Sequence, residues 1–145
     1  MTADPVSQAA PPLADGLFGR SADGELHLRG GVHRATGRIV FPFPEGGEEA
    51  GYDSLPLPRR GTLWSFTIQR FPPVAPPYAV DISGGFTPFA LGYVELDGPV
   101  IVETRLLADS FDDLRIGTPA ELALETLVLL DRGPVTSFAF RVPAA

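Results

Sequence analysis

The chain has 145 residues and a formal net charge of −7, with no cysteine, and its eleven basic residues are all arginine. The missing thiols and lysine amines exclude disulfides, thiolate metal sites, cysteine nucleophiles and lysine Schiff bases. The acidic charge disfavours nucleic acid, which binds basic surfaces. The length suits one domain, and 44% hydrophobic residues predict a packed globule.

The N-terminus reads as a mobile lead-in to a cytoplasmic protein. No apolar run approaches the roughly 20 residues that a membrane span needs, and no secretory signal is recognisable. Residues 1–11 are rich in proline and alanine, so we predict a disordered segment there. The use of arginine alone, with much alanine, glycine and proline, is typical of a high-GC bacterial genome.

The next segment, residues 12–29, is predicted to form a short helix followed by a short strand. Leu13, Leu17 and Phe18 would lie on the apolar side of the helix, and Gly24 would end it. The segment 30–60 is broken by glycine and proline. It contains one apolar island at 39–41 and an acidic stretch at 45–49, which we interpret as a solvated turn.

A strand is predicted directly after Gly61, where β-branched and aromatic residues dominate. Within it, Trp64, Phe66 and Ile68 alternate onto one face. The segments 88–96 and 99–107 then form a half-buried hairpin. They are separated by the sequence Asp-Gly at 97–98, a dipeptide typical of tight hairpin turns.

The C-terminal third contains a local conflict. Ser110–Leu114 predicts a short capped helical turn, and 135–142 alternates as a strand. Between them, a capping box at 118–121 favours a helix, whereas Leu122, Leu124, Val128 and Leu130 repeat at period two. Both structures remain open for 120–130. A strand there gives the element order of an OB-fold barrel, and a helix gives an α+β domain.

The residues that could carry catalysis form no recognisable set. His27 and His33 are the only histidines, and no Gly-x-Ser-x-Gly nucleophile elbow or phosphate-binding loop accompanies them. His33 with Glu48 or Glu49 would make only an improvised zinc site. We therefore predict no catalytic residue and no metal ligand.

Two features suggest binding instead. Arg59 and Arg60 precede the first predicted barrel strand, and with Arg70 they are candidates for binding phosphate; surface salt bridges are the alternative. The long loop 71–87 carries several apolar side chains, which need a covering surface either in this chain or in a partner. The sequence leaves both possibilities open.

Three sequence runs resemble a known family. Gly61–Thr67, Gly92–Gly98 and Leu114–Leu122 occur in this order with the spacing of the bacterial and archaeal family "domain of unknown function 35". The resemblance covers roughly residues 12–142. It implies an N-terminal helix at 12–29, a rubredoxin-like zinc ribbon at 30–60 and a C-terminal five-stranded OB-fold barrel at 61–145. It also implies a strand for 120–130.

The ribbon departs from the family pattern. Its two Cys-x-x-Cys knuckles would fall at His33 and Thr36 and, by a looser alignment, at Gly47 and Ala50, none of which is cysteine. The resemblance therefore implies a degenerate ribbon without zinc. Packing of Ile39, Phe41 and Phe43 would then have to hold it, or it would be partly loose.

The family resemblance also implies a function. Its members look like non-catalytic accessory subunits of thiolase-fold acyl-CoA enzymes, with hot-dog hydratases or acyltransferases as alternative partners, in lipid or polyketide metabolism. Such a subunit would stabilise its partner and shape an acyl or CoA channel, binding no cofactor itself although acyl-CoA could lie at the interface. A free-standing acyl-CoA-binding protein and an OB-fold nucleic-acid binder are the alternatives. Candidate CoA-phosphate ligands are Arg59, Arg60 and Arg70, and candidate interface residues are Phe41, Phe43, Phe71, Pro73, Pro77, Tyr78 and Phe86.

Overall fold

A computed structural model describes residues 10–98 and 100–144, and within them the regular structure consists of nine β-strands and two single 3-10 turns. The 3-10 turns are Glu48–Gly51 and Phe111–Asp113. The strands are β1 (Phe18–Arg20), β2 (Leu26–His33), β3 (Ile39–Val40), β4 (Tyr52–Pro56), β5 (Arg60–Gln69), β6 (Phe89–Leu96), β7 (Ile101–Leu107), β8 (Pro119–Leu129) and β9 (Gly133–Arg141).

The last five strands close into a barrel in the order β5-β6-β7-β9-β8. β8 returns to pair antiparallel with β5, and β7 and β9 form the one parallel pair among the described strands. This order, with a short helical turn between the third and fourth strands, is that of an OB fold. The prediction of a mainly β protein with a five-stranded OB-fold barrel is confirmed.

Residues 119–129 form a strand, which settles the conflict in the sequence. β8 pairs with β9 continuously from Glu121 opposite Arg141 to Leu129 opposite Gly133. The capping-box sequence before it is a local helix signal. The long antiparallel ladder and the burial of Leu122 nevertheless stabilise the extended form. Here tertiary pairing decides between two forms that local preference leaves balanced.

The first four strands form a separate small sheet around β2. β4 lies along one side of β2, and β1 and β3 also pair with it. The predicted N-terminal helix is absent from the described residues, so this prediction was wrong. Instead, Phe18–Arg20 pairs with Leu26–Leu28 as a hairpin, and Gly24 turns between them at a φ of +86°, a conformation that glycine adopts at little cost.

One core joins the small sheet to the barrel. Leu28 of β2 and Leu57, which follows β4, are buried in the same apolar cluster as the barrel side chains. Phe18, Ile39 and Phe41 pack against its margin. The barrel members of the cluster are Leu63, Ala90, Val94, Leu96, Val100, Val102, Leu106, Leu114, Ala120, Leu122, Phe140 and Val142.

Strands β5 and β6 approach unusually closely, at two glycines that belong to the family-like runs. A Cβ atom on Gly61 would lie 2.3 Å from the carbonyl oxygen of Glu95, and one on Gly92 would lie 2.5 Å from that of Ser65. No backbone can yield to such contacts without moving a strand. The two glycines are therefore required by the curvature of the barrel.

A β-bulge changes the face of one predicted core residue. The register of β5 against β6 shifts between Leu63 and Ser65, so that Trp64 has no direct partner. Leu63 is buried instead, and the Trp64 side chain is 54% exposed. The prediction that Trp64 shares a face with Phe66 and Ile68 was therefore wrong.

The structure describes the predicted N-terminal lead-in from residue 10 onward. Residues 1–9 of the predicted lead-in lie outside the described residues, as does Pro99 of the predicted hairpin. Pro11, by contrast, is ordered, because its carbonyl accepts a hydrogen bond of 2.7 Å from the amide of Thr136. Among the described residues, no helix has the length and apolar character needed to cross a bilayer.

Candidate functional site

A charged cleft of about 470 Å³ lies where the small sheet meets the barrel. Its position follows from the topology, because the chain leaves β4, crosses Pro58 and enters β5 at this point. The cleft carries both acidic and basic groups. Its lining residues are Ser21, Glu25, Leu26, His27, Pro56, Leu57, Pro58, Arg59, Arg60, Asp97 and Glu121.

Two of the three predicted phosphate ligands line this cleft. The Arg59 guanidinium is held by the Glu25 carboxylate at 3.0 Å and by the carbonyl of Leu26. Arg60 lies 3.9 Å from Glu121 and is more exposed than Arg59. Arg70 follows the opposite end of the ten-residue strand β5, where its guanidinium lies 5.9 Å from the centre of the Phe111 ring. The structure brings Arg59 and Arg60 together and separates Arg70 from them.

The polar side chains at the cleft make local contacts. Nδ1 of His27 lies 3.0 Å from the carbonyl oxygen of Leu28 and donates to it in the matching tautomer. The hydroxyl of Ser21 donates to Asp23, and together with the amide of Glu25 it lowers the pKa of that exposed carboxyl below its usual range. These bonds order the β1–β2 turn at the mouth of the cleft.

His33 and Thr36, at the positions expected for the first pair of zinc ligands, are hydrogen-bonded to each other. The amide and the hydroxyl of Thr36 each lie 3.2 Å from Nδ1 of His33. The His33 ring also meets Tyr52 edge to face, with 4.9 Å between ring centres. The side chain of His33 is therefore used in fastening the turn between β2 and β3.

Arg34 connects the two knuckle-like turns. Its amide donates to the Gly51 carbonyl at 3.0 Å, and its guanidinium donates to the Ala50 carbonyl at 2.7 Å and to Asp53 at 2.9 Å. A hydrogen-bonding arginine thus spans the gap that a metal closes in a zinc ribbon. Sequence reasoning missed Arg34, because nothing in the sequence distinguishes it from the other ten arginines.

The donor set at these positions does not fit zinc. Structural zinc sites use four cysteine or histidine ligands, and His33 is the only such residue among the four expected positions. No cluster of three or more potential metal ligands occurs among the described residues.

Four of the seven predicted interface residues pack within the chain. Phe41 meets Phe138 of β9 edge to face at 5.5 Å, and Phe43 lies under the guanidinium of Arg29 at 3.9 Å. Tyr78 and Phe86 of the long loop contact the ring of Phe89 at 6.4 and 6.0 Å. These aromatic side chains have their covering surface in this chain.

The loop is also fastened by backbone bonds. The amide of Asp81 donates to the carbonyl of Val128, and the amide of Leu130 donates to the carbonyl of Ala79. The loop therefore extends the sheet along the free edge of β8. Among the remaining predicted interface residues, Phe71 is 78% exposed and Pro77 is exposed, while Pro73 is half-buried.

The largest exposed apolar side chains lie partly outside the predicted set. Trp64, Tyr93 and Ile101 lie on the outer face of three adjacent barrel strands, and the rings of Trp64 and Tyr93 meet edge to face at 6.3 Å. The alternation of β6 and β7 could have revealed Tyr93 and Ile101, since the neighbouring residues are core aliphatics. The bulge that exposes Trp64 has no sequence signal. The other members of the exposed set are Phe71, Val74, Ile116, Leu124, Val128 and Leu130.

Comparisons with known proteins agree on the barrel. Residues 55–125 match the family model described as "ChsH2, C-terminal OB-fold domain". A chain of the solved structure described as "Ltp2-ChsH2(DUF35) aldolase" superposes with a TM-score of 0.56 at 22% sequence identity, over 80% of this chain and 84% of that chain. Among the curated proteins, no match was found.

These findings confirm the family predicted from the three sequence runs. The match begins in β4 and ends within β8, so it includes the closure of the barrel between β5 and β8. The structural match also extends to the N-terminal sheet, because it covers more of this chain than the barrel alone. Residues 55–125 thus belong to a ChsH2-type OB-fold domain, and the matches support the assignment of this chain to the family called domain of unknown function 35 (DUF35).

Proposed function

We propose that this chain is a non-catalytic accessory subunit of an acyl-CoA enzyme and that it binds a thiolase-fold partner carrying the catalytic residues. The observation that carries the proposal is the DUF35 fold, shared with a chain of a structure described as an Ltp2-ChsH2(DUF35) aldolase. A hot-dog hydratase or an acyltransferase is the alternative partner. The cytoplasmic location expected from the sequence remains a prediction.

The surface of the barrel supports a docking role. Large side chains such as Trp64 and Phe71 are more than half exposed. Large aromatic side chains are favoured at protein interfaces, where they supply much of the binding energy. We propose that Phe71, Pro73 and Pro77 contribute contacts at the margin of the interface, since Phe71 and Pro77 are exposed on a loop that is hydrogen-bonded to β8 at Ala79 and Asp81.

The charged cleft supports a place for CoA beside the partner. Arg59 and Arg60 are adjacent at its rim, and a guanidinium binds phosphate oxygens through a fork of two donors. Arg59 is already held by Glu25, so Arg60, whose ion pair with Glu121 is long, is the better candidate. Arg70 is too far along β5 to join the same phosphate group, although it remains a candidate for another contact.

The filled barrel weighs against a free-standing acyl carrier. Val94 and Phe140 are fully buried in the barrel interior, and Leu63 and Leu96 are nearly so. An acyl chain would have to displace these side chains from a close-packed core. We therefore place any acyl-CoA contact at the surface, in the cleft or at the partner interface.

The test is co-expression with thiolase-fold acyl-CoA enzymes from the same genome, followed by size-exclusion chromatography with light scattering. We expect a stable complex, and we expect the enzyme to lose activity or stability when it is prepared without this chain. The isolated chain should show little or no heat of binding with CoA thioesters in calorimetry. The proposal would be overturned if the chain stays monomeric in the presence of the enzyme, or if it binds acyl-CoA tightly by itself.

A further inference from the structure

The outer face of β5, β6 and β7 carries an aromatic pair beside two acidic residues. Tyr93 lies directly opposite Glu103 of β7, and Glu95 lies directly opposite Ile101. Trp64 completes the row across three strands through its edge-to-face contact with Tyr93. We call these five residues the aromatic–acidic face. All five side chains are exposed.

The carboxylates of this face have no counterion in the described part of the chain. Neither Glu95 nor Glu103 forms an ion pair or a side-chain hydrogen bond there, whereas five other carboxylates pair with arginines. Arg60, which lies on the same side of β5 as Trp64, pairs with Glu121 of β8 instead. The face thus presents aromatic rings and two carboxylates, and no arginine among the described residues pairs with either carboxylate.

The same molecule shows how such a set is completed. The guanidinium of Arg105 lies 4.2 Å from the centre of the Phe89 ring while its Nε is 2.8 Å from the Glu125 carboxylate. One guanidinium can therefore stack on an aromatic ring and bind a carboxylate at the same time. The aromatic–acidic face offers the ring and the carboxylate of this arrangement on neighbouring strands.

We propose that the aromatic–acidic face is the centre of the docking surface, and that it receives an arginine-bearing surface of the partner enzyme. The partner's guanidinium stacks on the aromatic pair and forms an ion pair with Glu103, while apolar partner side chains cover Trp64 and Ile101. Nucleic acid is excluded as the occupant by charge repulsion from Glu95 and Glu103. This inference rests on the proposed function and adds the site and the chemistry of the contact.

The test uses Trp64, which is the only tryptophan of the chain. Labelling this chain with 5-fluorotryptophan gives a single fluorine resonance, which is followed as the unlabelled enzyme subunit, expressed separately, is added. We expect that resonance to shift and to lose its sensitivity to solvent when the complex forms. A complex detected by light scattering in which the Trp64 resonance is unchanged would overturn this inference and leave the proposed function standing.

Three variants test the chemistry of the contact. We expect Trp64→Ala to weaken binding by roughly 30-fold, the size typical of a central aromatic residue. Glu103→Gln should weaken it by roughly tenfold at low salt and by less at high salt, because an ion pair is screened. Glu48→Gln, which removes a carboxylate from an exposed turn of the small sheet, is the matched control and should bind as the wild type does.

Other outcomes are also decisive. If no complex forms with the wild-type chain, both the proposed function and this inference fail. If the Trp64 resonance shifts with the concentration of this chain alone, a second copy occupies the face and the partner assignment is wrong. Circular dichroism of each variant shows whether the barrel is intact, and equal loss of binding in Glu103→Gln and Glu48→Gln would overturn the ion pair.

Discussion

The barrel and the small N-terminal sheet share one core but are stabilised by different means. The barrel closes its backbone ladder on itself and surrounds its own buried side chains, such as Val94 and Phe140. The sheet of β1–β4 contributes Leu28 and Leu57 to that core, and its outer turns are joined by polar contacts of Arg34 and His33. Units this small usually need a metal or disulfide. Here the neighbouring barrel substitutes for part of that support.

The largest effect is expected from a substitution in the core that the small sheet and the barrel share. Leu28 is fully buried, so Leu28→Ala should lower the free energy of unfolding by about 2–5 kcal/mol. Urea unfolding followed by Trp64 fluorescence measures the effect in the barrel, far along the chain from the substitution. Leu130→Ala, at an exposed site, is the control and should change stability by less than about 0.5 kcal/mol.

An unchanged midpoint of the Trp64 transition in Leu28→Ala would contradict the shared core. It would mean that the small sheet melts as an independent unit and that the barrel does not depend on it. A second transition seen only by circular dichroism would also show that the small sheet unfolds independently of the barrel.

A smaller effect is expected at Arg34, whose contacts with Ala50, Gly51 and Asp53 we call the polar clamp. Arg34→Ala removes the side-chain bonds to Ala50 and Asp53, which are exposed, so we expect a loss of about 1 kcal/mol confined to the small sheet. Hydrogen exchange at the residue-34 amide, which donates to Gly51, should become faster. Arg38→Ala is the matched control, because the Arg38 side chain has no partner among the described residues. Similar exchange in both variants would refute the clamp.

The smallest effect is expected from a chelator. If hydrogen bonds of His33 and Arg34 replace the metal of a zinc ribbon, incubation with EDTA should leave the melting temperature unchanged. Differential scanning calorimetry before and after the treatment makes the comparison. A fall in melting temperature, or stoichiometric zinc by elemental analysis, would show that a metal holds the small sheet and that these hydrogen bonds do not replace it.

Most of the barrel could be predicted from alternation in the sequence, because one face of each strand is buried. The hairpin at Asp97, the capped turn at Ser110 and the C-terminal strand all follow such local rules. Residues 120–130 needed the family resemblance, since their helix signal and their strand signal were balanced. Only the pairing with β9, which is a tertiary contact, separates the two.

The N-terminal region and the surface were harder to predict. The apolar spacing of Leu13, Leu17 and Phe18 suggested a helix, but residues 13–17 form turns and bends, and Phe18–Arg20 pairs with β2 as an edge strand. The exposure of Trp64 depends on a bulge, and the role of Arg34 depends on two turns that meet only in the fold. Composition marks none of these positions. The sequence therefore predicted the binding surface on the ribbon segment and the long loop, whereas the candidate that we propose lies on the barrel strands.

The contact between Pro11 and Thr136 has a consequence for how the chain can be handled. Residues 10–13 lie along the outer edge of β9, where three hydrogen bonds of 2.7–2.8 Å join them to Thr136. Arg132 holds the same segment through the carbonyls of Pro12 and Leu13. An unprotected strand edge invites pairing between molecules. A version of the chain that starts at residue 14 would lose this cover. Removal of the proline- and alanine-rich start should therefore lower the solubility of the protein.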